Sequence, residues 1–250
     1  MELLAKYIPN FLFILLRAGI VISMLPLVGS KNFPTKFKAG FVLAVALVLT
    51  PVVQFNVSRT TIPILVMREV VFGIALGLAA RFIFFAFDIA GEIMSSTMGI
   101  SIASVFNPDI GQSTEIARLY GIIATLALFV TNAHRDLIYI FVKSYEWVPA
   151  GGMEIKDLGA EAISIAGKMF VLGLKISAPV VIIMLAVNIL LGFVYKAAPQ
   201  MNVFFVGYPV YIFIGFVVIL FCMPIFINAM GGYFDDVKNE MARVIAVSRP

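Results

Sequence analysis

Residues 197–234 form a run of 38 positions without one charged side chain, and this run most limits what the chain can fold into. About 20 apolar residues suffice to cross a bilayer, so the run is long enough to enter lipid. Pro199, Pro209 and Pro224 interrupt it, and an interior proline removes a backbone donor and clashes with the preceding turn. Broken helices in lipid must be shielded by other protein or by a water-filled cavity. The run therefore predicts a packed membrane assembly with a passage rather than a simple anchor.

Composition places the chain among helical proteins that cross the membrane several times. Hydrophobic residues occupy 62% of the 250 positions and charged residues 13%, whereas soluble domains average about 45–50% and about 25%. The net charge of +4 is scattered without a lysine or arginine block, which argues against a nucleic-acid partner because phosphate binding needs clustered cations. The single cysteine, Cys222, excludes an internal disulfide and a thiolate metal cluster.

Apolar segments alternate with polar turns, which predicts an all-α membrane protein. The predicted helical segments cover residues 9–28, 39–55, 62–105, 115–142, 162–195 and 203–230. We expect the first segment to be a retained helix, Gly91 and Gly99 to be candidate bends in the third, and the tail from Asp235 to Pro250 to be polar. Lys31, Lys36 and Lys38 favour a cytoplasmic first loop, although the other basic residues show no clean asymmetry.

Several charged side chains lie within or beside the apolar segments: Arg17, Arg68, Glu69, Arg81, Asp88, Glu92 and Lys175. A charge at mid-bilayer costs at least ~2.5–3.5 kcal/mol on insertion scales, so these groups should face protein, water or each other. Arg81, Asp88 and Glu92 share one helical stripe with Phe85, Ser95 and Gly99. The stripe either lines a wet passage or packs against partner helices, and we favour packing.

The sequence shows no catalytic, cofactor-binding or metal-binding constellation. His134 is the only histidine, and without a second histidine or a nearby cysteine a metal site lacks ligands, so we expect a hydrogen-bonding residue at the end of a loop. There is no phosphate-binding glycine loop ending in Lys-Ser/Thr and no nucleophile elbow. We therefore expect a protein that is not an enzyme and that uses no cofactor and no metal.

The run from Lys196 to Pro209, KAAPQMNVFFVGYP, resembles the signature of the FliR/SctT family, the R/T subunits of the type III export gate in flagella and injectisomes. Supporting motifs follow in the family's order: Arg17-Ala18-Gly19, Glu69 with Gly73 and Gly77, Ala90-Gly91-Glu92, Phe106-Asn107-Pro108, Asn132 with His134, Ser144 with Pro149, and Ala178-Pro179. Ala133 departs from the glycine that the family often has there.

The resemblance implies a gate subunit that assembles with P-type and Q-type subunits. These subunits form kinked helical hairpins in a conical, helical assembly around one conduit for unfolded secreted proteins. A P-type-like half, residues 1–150, would be joined to a Q-type-like hairpin and polar tail, residues 151–250. The B-type switch protein would wrap this gate in the bacterial inner membrane, at the flagellar basal body.

The resemblance also implies residue roles. The plug loop, which would close the conduit against ions, comprises Phe106, Asn107, Pro108, Asp109, Ile110, Gly111 and Gln112. The cytoplasmic entrance loop comprises Lys196, Pro199, Gln200, Met201 and Asn202. The charges assigned to packing between subunits are Arg17, Glu69, Arg81, Asp88, Glu92 and Lys175. From the residues alone, a plain turn between helices is the preferred interpretation of this loop.

Other functions stay open at the level of sequence. The family resemblance covers virulence injectisomes as well as flagella, and we favour the flagellar system on overall likeness. A small-solute secondary transporter would place broken helices at matching positions in two repeated halves, whereas the prolines here are concentrated late in the chain. An intramembrane enzyme would need convergent nucleophile, base or metal groups, which the sequence does not present.

Overall fold

The computed structural model describes residues 2–25, 34–53, 62–101, 115–149, 157–200 and 202–249. Within these ranges the chain forms helices and no strand. The helices are α1 (Glu2–Met24), α2 (Thr35–Leu49), α3 (Ile62–Ala80), α4 (Phe82–Thr97), α5 (Glu115–Val130), α6 (Ala133–Trp147), α7 (Leu158–Ala197) and α8 (Val203–Val247). The all-α class expected from the apolar segments is confirmed.

Among the described residues, three helices are long and apolar enough to cross a membrane, namely α3, α7 and α8. Helices α5 and α6 pass the same test only as a pair, which is bent by 78° at the break between them. Helix α7 has 40 residues and α8 has 45. At ~1.5 Å per residue their paths measure about 60 and 68 Å, roughly twice the ~30 Å hydrocarbon layer. Both helices must therefore tilt strongly or leave the hydrocarbon layer.

Of the three prolines in the uncharged run, one lies in a turn and two lie inside the last helix. Pro209 and Pro224 lie inside α8, whereas Pro199 lies in the turn between α7 and α8. An interior proline removes a single backbone bond, and in membrane proteins neighbouring groups or small local adjustments satisfy the freed carbonyl. Helix α8 therefore continues through both prolines, in agreement with the predicted segment 203–230, and the chain turns at Pro199.

The polar tail is helical, which the sequence analysis missed. Four apolar side chains spaced by three or four residues are buried, one directly before the tail and three within it: Phe234, Val237, Met241 and Val244. This spacing puts them on one face of α8. On another face, the Lys238 ammonium lies 3.1 Å from the Asp136 carboxylate of α6. The tail folds as a helix because its apolar face has helices of the same unit to pack against.

Two of the predicted helical segments each contain a break. Segment 62–105 breaks at Arg81, between α3 and α4, and continues as a helix through Gly91. Segment 115–142 breaks before α6 at Asn132, whose φ of +58° is in the left-handed region. Asparagine enters this region more readily than most residues because its short polar side chain bonds locally.

Gly99 ends α4. Its φ is +76°, a conformation that costs glycine little because it has no Cβ. The backbone N–H groups of Gly99 and Ile100 donate to the carbonyls of Ser96 and Ser95 at 3.1 and 3.0 Å. This pair of bonds is the Schellman arrangement, which satisfies carbonyls that a helix end would otherwise leave open.

The chain divides into two compact units. The first unit comprises residues 1–83, 128–167 and 233–250. The second unit comprises residues 84–127 and 168–232. The predicted division at residue 150 concerns likeness to P-type and Q-type chains, which compactness does not test, and it stays a prediction.

In the first unit, α1 packs against α2 and α3. Gly73 and Gly77 of α3 face Ile20 and Met24 of α1, and a Cβ added at Gly77 would lie 2.7 Å from the Met24 sulfur. Small residues one turn apart let two helix backbones approach closely. The two glycines therefore place the middle of α3 directly against α1.

In the second unit, α4 is the helix that the others contact. The backbone of Gly91 lies against Ala117 of α5, Gly173 of α7 lies against Ile89, and Gly215 of α8 lies against the side chain of Met98. Because glycine has no side chain, the helices come close enough for dispersion contacts at each of these positions. At Gly215 the Met98 side chain, directly after α4, occupies the space that glycine leaves.

We predict that Gly91→Ala destabilises the chain, because the added Cβ would overlap the Ala117 backbone, which cannot rotate away as a side chain does. The cost should be at least ~2 kcal/mol in the free energy of unfolding, measured by thermal unfolding in detergent. Gly121→Ala on α5 is the matched control, since nothing lies within 4 Å of its added Cβ. It should be neutral or stabilising by up to ~1 kcal/mol. Equal melting temperatures for the two variants would contradict the tight crossing.

Candidate functional site

A fully buried ion pair joins α1 to α3 in the first unit. The Arg17 guanidinium donates from Nε to Glu69 Oε2 and from Nη2 to Glu69 Oε1, both at 2.8 Å. The two side chains are 0% and 1% exposed. A bidentate pair of this kind combines charge with two aligned hydrogen bonds, which is the strongest arrangement that the two groups can form.

The remaining guanidinium donors reach the C-terminal end of α6. Nη1 of Arg17 donates to the Ser144 carbonyl at 3.0 Å and to its Oγ at 3.3 Å, and Nη2 donates to the Val148 carbonyl at 3.0 Å. The last carbonyls of a helix lack partners within the helix and carry partial negative charge. Helix α6 has no basic residue in its own last turn, so Arg17 of α1 supplies the positive charge there.

Two aromatic rings enclose the same guanidinium. Its central carbon lies 4.7 Å from the Phe72 ring centroid and 4.5 Å from the Tyr145 ring centroid. The Tyr145 hydroxyl donates to the Ile14 carbonyl of α1 at 3.2 Å. We call Arg17 and its contacts the arginine hub, which comprises Arg17, Glu69, Phe72, Ser144, Tyr145 and Val148. With all five N–H donors used and water excluded, the hub can hold three helices together but has no free group for chemistry.

Sequence reasoning identified Arg17 and Glu69 as charges in apolar segments, but not the partners on α6. Ser144 lies 127 residues from Arg17, and no spacing rule connects positions so far apart. One local signal was available in Pro149, because a proline disfavours helical geometry in the residue before it. The proline predicts that α6 ends near Val148 and leaves open carbonyls for some donor.

The other charges assigned to packing are less buried in the single chain. Arg81 and Asp88 are half-buried, whereas Glu92 and Lys175 are exposed. Because the structure holds one chain, a role for these side chains in contacts between subunits stays a prediction.

The plug loop, residues 106–112, lies outside the described residues, and so does Met201 of the entrance loop. The other entrance-loop residues are exposed: Lys196, Pro199, Gln200 and Asn202. Lys196 belongs to the last turn of α7, and the Asn202 carbonyl accepts a hydrogen bond from the Val206 N–H at the start of α8, at 3.3 Å.

A hydrogen bond between two polar side chains joins α7 to α8 near the entrance loop. The Tyr211 hydroxyl donates to Asn188 Oδ1 at 2.7 Å, and Asn188 Nδ2 donates to the Met184 carbonyl at 2.9 Å. Nearer the loop, a Cβ added at Gly207 would lie 2.7 Å from the Tyr195 hydroxyl, so the helices are in close contact there. These contacts hold the two ends of the entrance loop at a fixed separation.

His134 lies at the start of α6 and takes part in local contacts. Its Nδ1 lies 3.4 Å from the Leu128 carbonyl, and its ring centroid lies 5.1 Å from that of Phe129. In the ranges that the structure describes, no group of three or more His, Cys, Asp or Glu side chains is placed to hold a metal ion.

Comparison with known proteins shows similarity over almost the whole chain. A family model described as bacterial export proteins, family 1, matches residues 8–237. The flagellar biosynthetic protein FliR of Escherichia coli (strain K12) is 27% identical over 241 residues, which cover 93% of this chain and 91% of that protein. FliR of Bacillus subtilis (strain 168) is 29% identical over 248 residues, or 96% of this chain and 95% of that protein. FliR of Aquifex aeolicus (strain VF5) is 30% identical over 171 residues, which cover 68% of this chain and 66% of that protein.

We predict that Arg17→Leu lowers the free energy of unfolding by about 3–5 kcal/mol, because it leaves the Glu69 carboxylate buried without a partner. The double variant Arg17→Leu/Glu69→Leu should recover part of this loss, since it removes both charges. Arg118→Leu, which breaks the exposed pair with Glu115, is the control and should cost no more than about 1 kcal/mol. Thermal unfolding in detergent measures all three. Additive losses in the double variant would contradict coupling between the two charges.

Proposed function

Because the chain belongs to the bacterial export proteins, family 1, we propose that it is a subunit of the flagellar type III protein export gate. The observation that carries this proposal is the length of the similarity. The match includes 91% and 95% of two flagellar relatives, so the similarity extends over most of each relative rather than over one domain. The protein resides in the bacterial cell membrane at the flagellar basal body, and its role is protein transport in flagellum biogenesis. That the relatives named above are flagellar favours this system over the injectisome.

In this proposal the chain assembles with P-type and Q-type subunits and performs no catalysis. Large apolar side chains stand exposed along α7 and α8: Phe193, Phe205, Phe213, Phe221 and Ile225, each between 68% and 81% exposed. Exposed apolar surface of this extent marks contact with lipid or with other proteins. Both helices are roughly twice as long as the hydrocarbon layer is thick. Any part of this surface that leaves the layer needs protein partners.

The plug loop follows α4 in the chain. Its assigned role is to close the conduit when no substrate passes through it. An export conduit must admit unfolded chains yet hold back ions, and a hydrophobic constriction excludes ions by excluding water. Phe106 and Ile110 supply the apolar side chains, while Asn107, Pro108 and Gly111 favour a compact turn. The tight crossing of α4 and α5 at Gly91 and the capped end of α4 at Gly99 support this role, because they fix the two helices that the loop joins.

The entrance loop is assigned to the cytoplasmic mouth of the gate. Gln200 and Asn202 present exposed side chains that can donate and accept hydrogen bonds. In the proposed gate these amides contact neighbouring subunits and the B-type switch protein, at the point where unfolded substrates enter. The bond between Tyr211 and Asn188 supports the assignment, because it fixes the helices on which the loop is mounted.

We expect deletion of residues 106–112 to leave assembly intact but to make the cell membrane permeable to small solutes. The reason is that the conduit would lose its apolar closure. Ion leakage in cells that carry the correctly assembled complex measures the effect. A replacement of the same seven positions by alternating Gly and Ser keeps the length of the loop, and it should leak as well, since it lacks Phe106 and Ile110. A tight membrane in both variants would reject the plug role.

We expect Gln200→Ala combined with Asn202→Ala to reduce flagellar protein secretion. Each lost hydrogen bond weakens contact with partners by about 1 kcal/mol, or about fivefold in affinity. The control is Asn239→Ala, which removes an exposed amide from α8 far along the chain from the loop and should leave secretion unchanged. Secreted flagellar proteins in the culture medium measure the outcome, with the amount of assembled gate as reference. Normal secretion by the double variant would count against the entrance assignment.

A further inference from the structure

Two residues near the turn of the α7–α8 hairpin weaken the helices that contain them. Pro209 of α8 has no backbone N–H, so the Phe205 carbonyl one turn earlier loses its donor. Gly192 lies inside α7, where glycine gives the backbone more freedom than any other residue. Pro209 is exposed, and nothing lies within 4 Å of a Cβ added at Gly192, so close packing among the described residues explains neither residue. We call Gly192 and Pro209 the bend positions.

The bend positions lie between the same two contacts of the hairpin. On the side away from the loop, the Tyr211 hydroxyl donates to Asn188 Oδ1 at 2.7 Å. On the loop side, the Tyr195 hydroxyl lies against Gly207. The two contacts pair residues in antiparallel order, so the bend positions are at one level of the hairpin. Both helices can therefore bend there together.

Beyond the bend positions lies a short part of the hairpin that we call the hairpin tip. It comprises residues 193–197 of α7 and 203–208 of α8, which are joined by the entrance loop. The contact between Tyr195 and Gly207 holds its two helix ends together. Phe205 is 81% exposed, so the described part of the chain leaves that side of the tip open. The tip can therefore move as one body without losing this internal contact.

The hairpin tip also contacts the end of α4. The ring of Tyr208 lies against Gly99, because a Cβ added at Gly99 would be 2.7 and 2.9 Å from the Cε1 and Cδ1 atoms of that ring. Gly99 ends α4 in the left-handed conformation, with a φ of +76°. The tip therefore covers the residue at which α4 stops.

On the other side of the bend positions, α8 is packed against α4 and α5. Gly215 lies against Met98, whose side chain is fully buried. The ring of Phe226 has its centroid 5.2 Å from that of Phe87 and 4.8 Å from that of Tyr120. This part of α8 gives the tip a fixed base from which to bend.

We propose that the hairpin tip is a hinged element, which bends about Gly192 and Pro209 and is held in its present position by the contact of Tyr208 with Gly99. When the tip bends away, the end of α4 loses the ring that covers it. The entrance loop, which is mounted on the tip, and the end of α4 therefore respond together. The proposal does not depend on the export role, because it rests on contacts within the second unit and is tested without secretion.

Spin labels on the full chain in mild detergent measure the bend by electron–electron double resonance. One label is attached at Gln200→Cys in the entrance loop and the other at Leu126→Cys, an exposed position of α5. The single native cysteine is first removed by Cys222→Ala. Gln200 lies roughly 12 Å beyond Gly192, so a bend of about 20° moves it by roughly 4 Å. We expect one distance between the labels when Tyr208 is present, and a second, shifted distance in Tyr208→Ala.

Stiffening variants separate a bend from general loosening of the hairpin. Gly192→Ala adds a Cβ in open space, and Pro209→Ala restores an N–H that can donate to the Phe205 carbonyl. Added together to Tyr208→Ala, they should return the labels to one distance. Gly99→Ala displaces the tyrosine ring from the side of α4, and it replaces Tyr208→Ala if that variant does not fold.

A label at Phe213→Cys, exposed on α8 past the bend positions, is the control and should keep one distance to Leu126→Cys in every variant. Tyr139→Ala, which removes an exposed ring from the first unit, should leave both label pairs unchanged. A single, unshifted distance in both Tyr208→Ala and Gly99→Ala would overturn the proposal. A second distance that survives the stiffening variants would also overturn it. So would a second distance for the Phe213 label, because the hairpin would then move as a whole.

Discussion

The bidentate contact between Arg17 and Glu69 is the interaction on which the first unit depends. Removing two charges from water costs several kcal/mol for each ion, and the mutual attraction offsets this cost only when every remaining donor also finds an acceptor. The carbonyls of Ser144 and Val148 complete that set. The end of α6 is therefore fixed to α1 and α3 by an electrostatic requirement, and a displacement of any of the three helices would leave a buried group without its partner.

The second unit is held together by a different physical principle. Around α4, glycines at the crossings with α5, α7 and α8 bring helix backbones together, so that many small dispersion contacts replace directional bonds. The aromatic side chains of Phe87 and Tyr120 add to this packing through edge contacts with Phe226 of α8. Such packing suits an apolar environment. Burying hydrocarbon that is already surrounded by lipid gains little free energy, so close packing of the helices supplies the stability.

These two arrangements leave different surfaces for function. The helices around α4 and the hairpin of α7 and α8 keep large apolar side chains exposed, while the polar pair of Asn188 and Tyr211 fixes the hairpin near its turn. The proposed role in an export gate requires both properties, because the subunit would pack with neighbours along its length and present the entrance loop at the mouth.

The sequence by itself determined the helical class, the membrane setting, the turn at Pro199 and the family, because composition, proline chemistry and ordered motifs are local properties. It did not reveal that the tail after Asp235 is helical, since that depends on what packs against α8. Only the tertiary structure joined Arg17 to the end of α6. That contact brings together positions far apart in the chain, and no periodicity within a helix encodes which distant group will satisfy a buried charge.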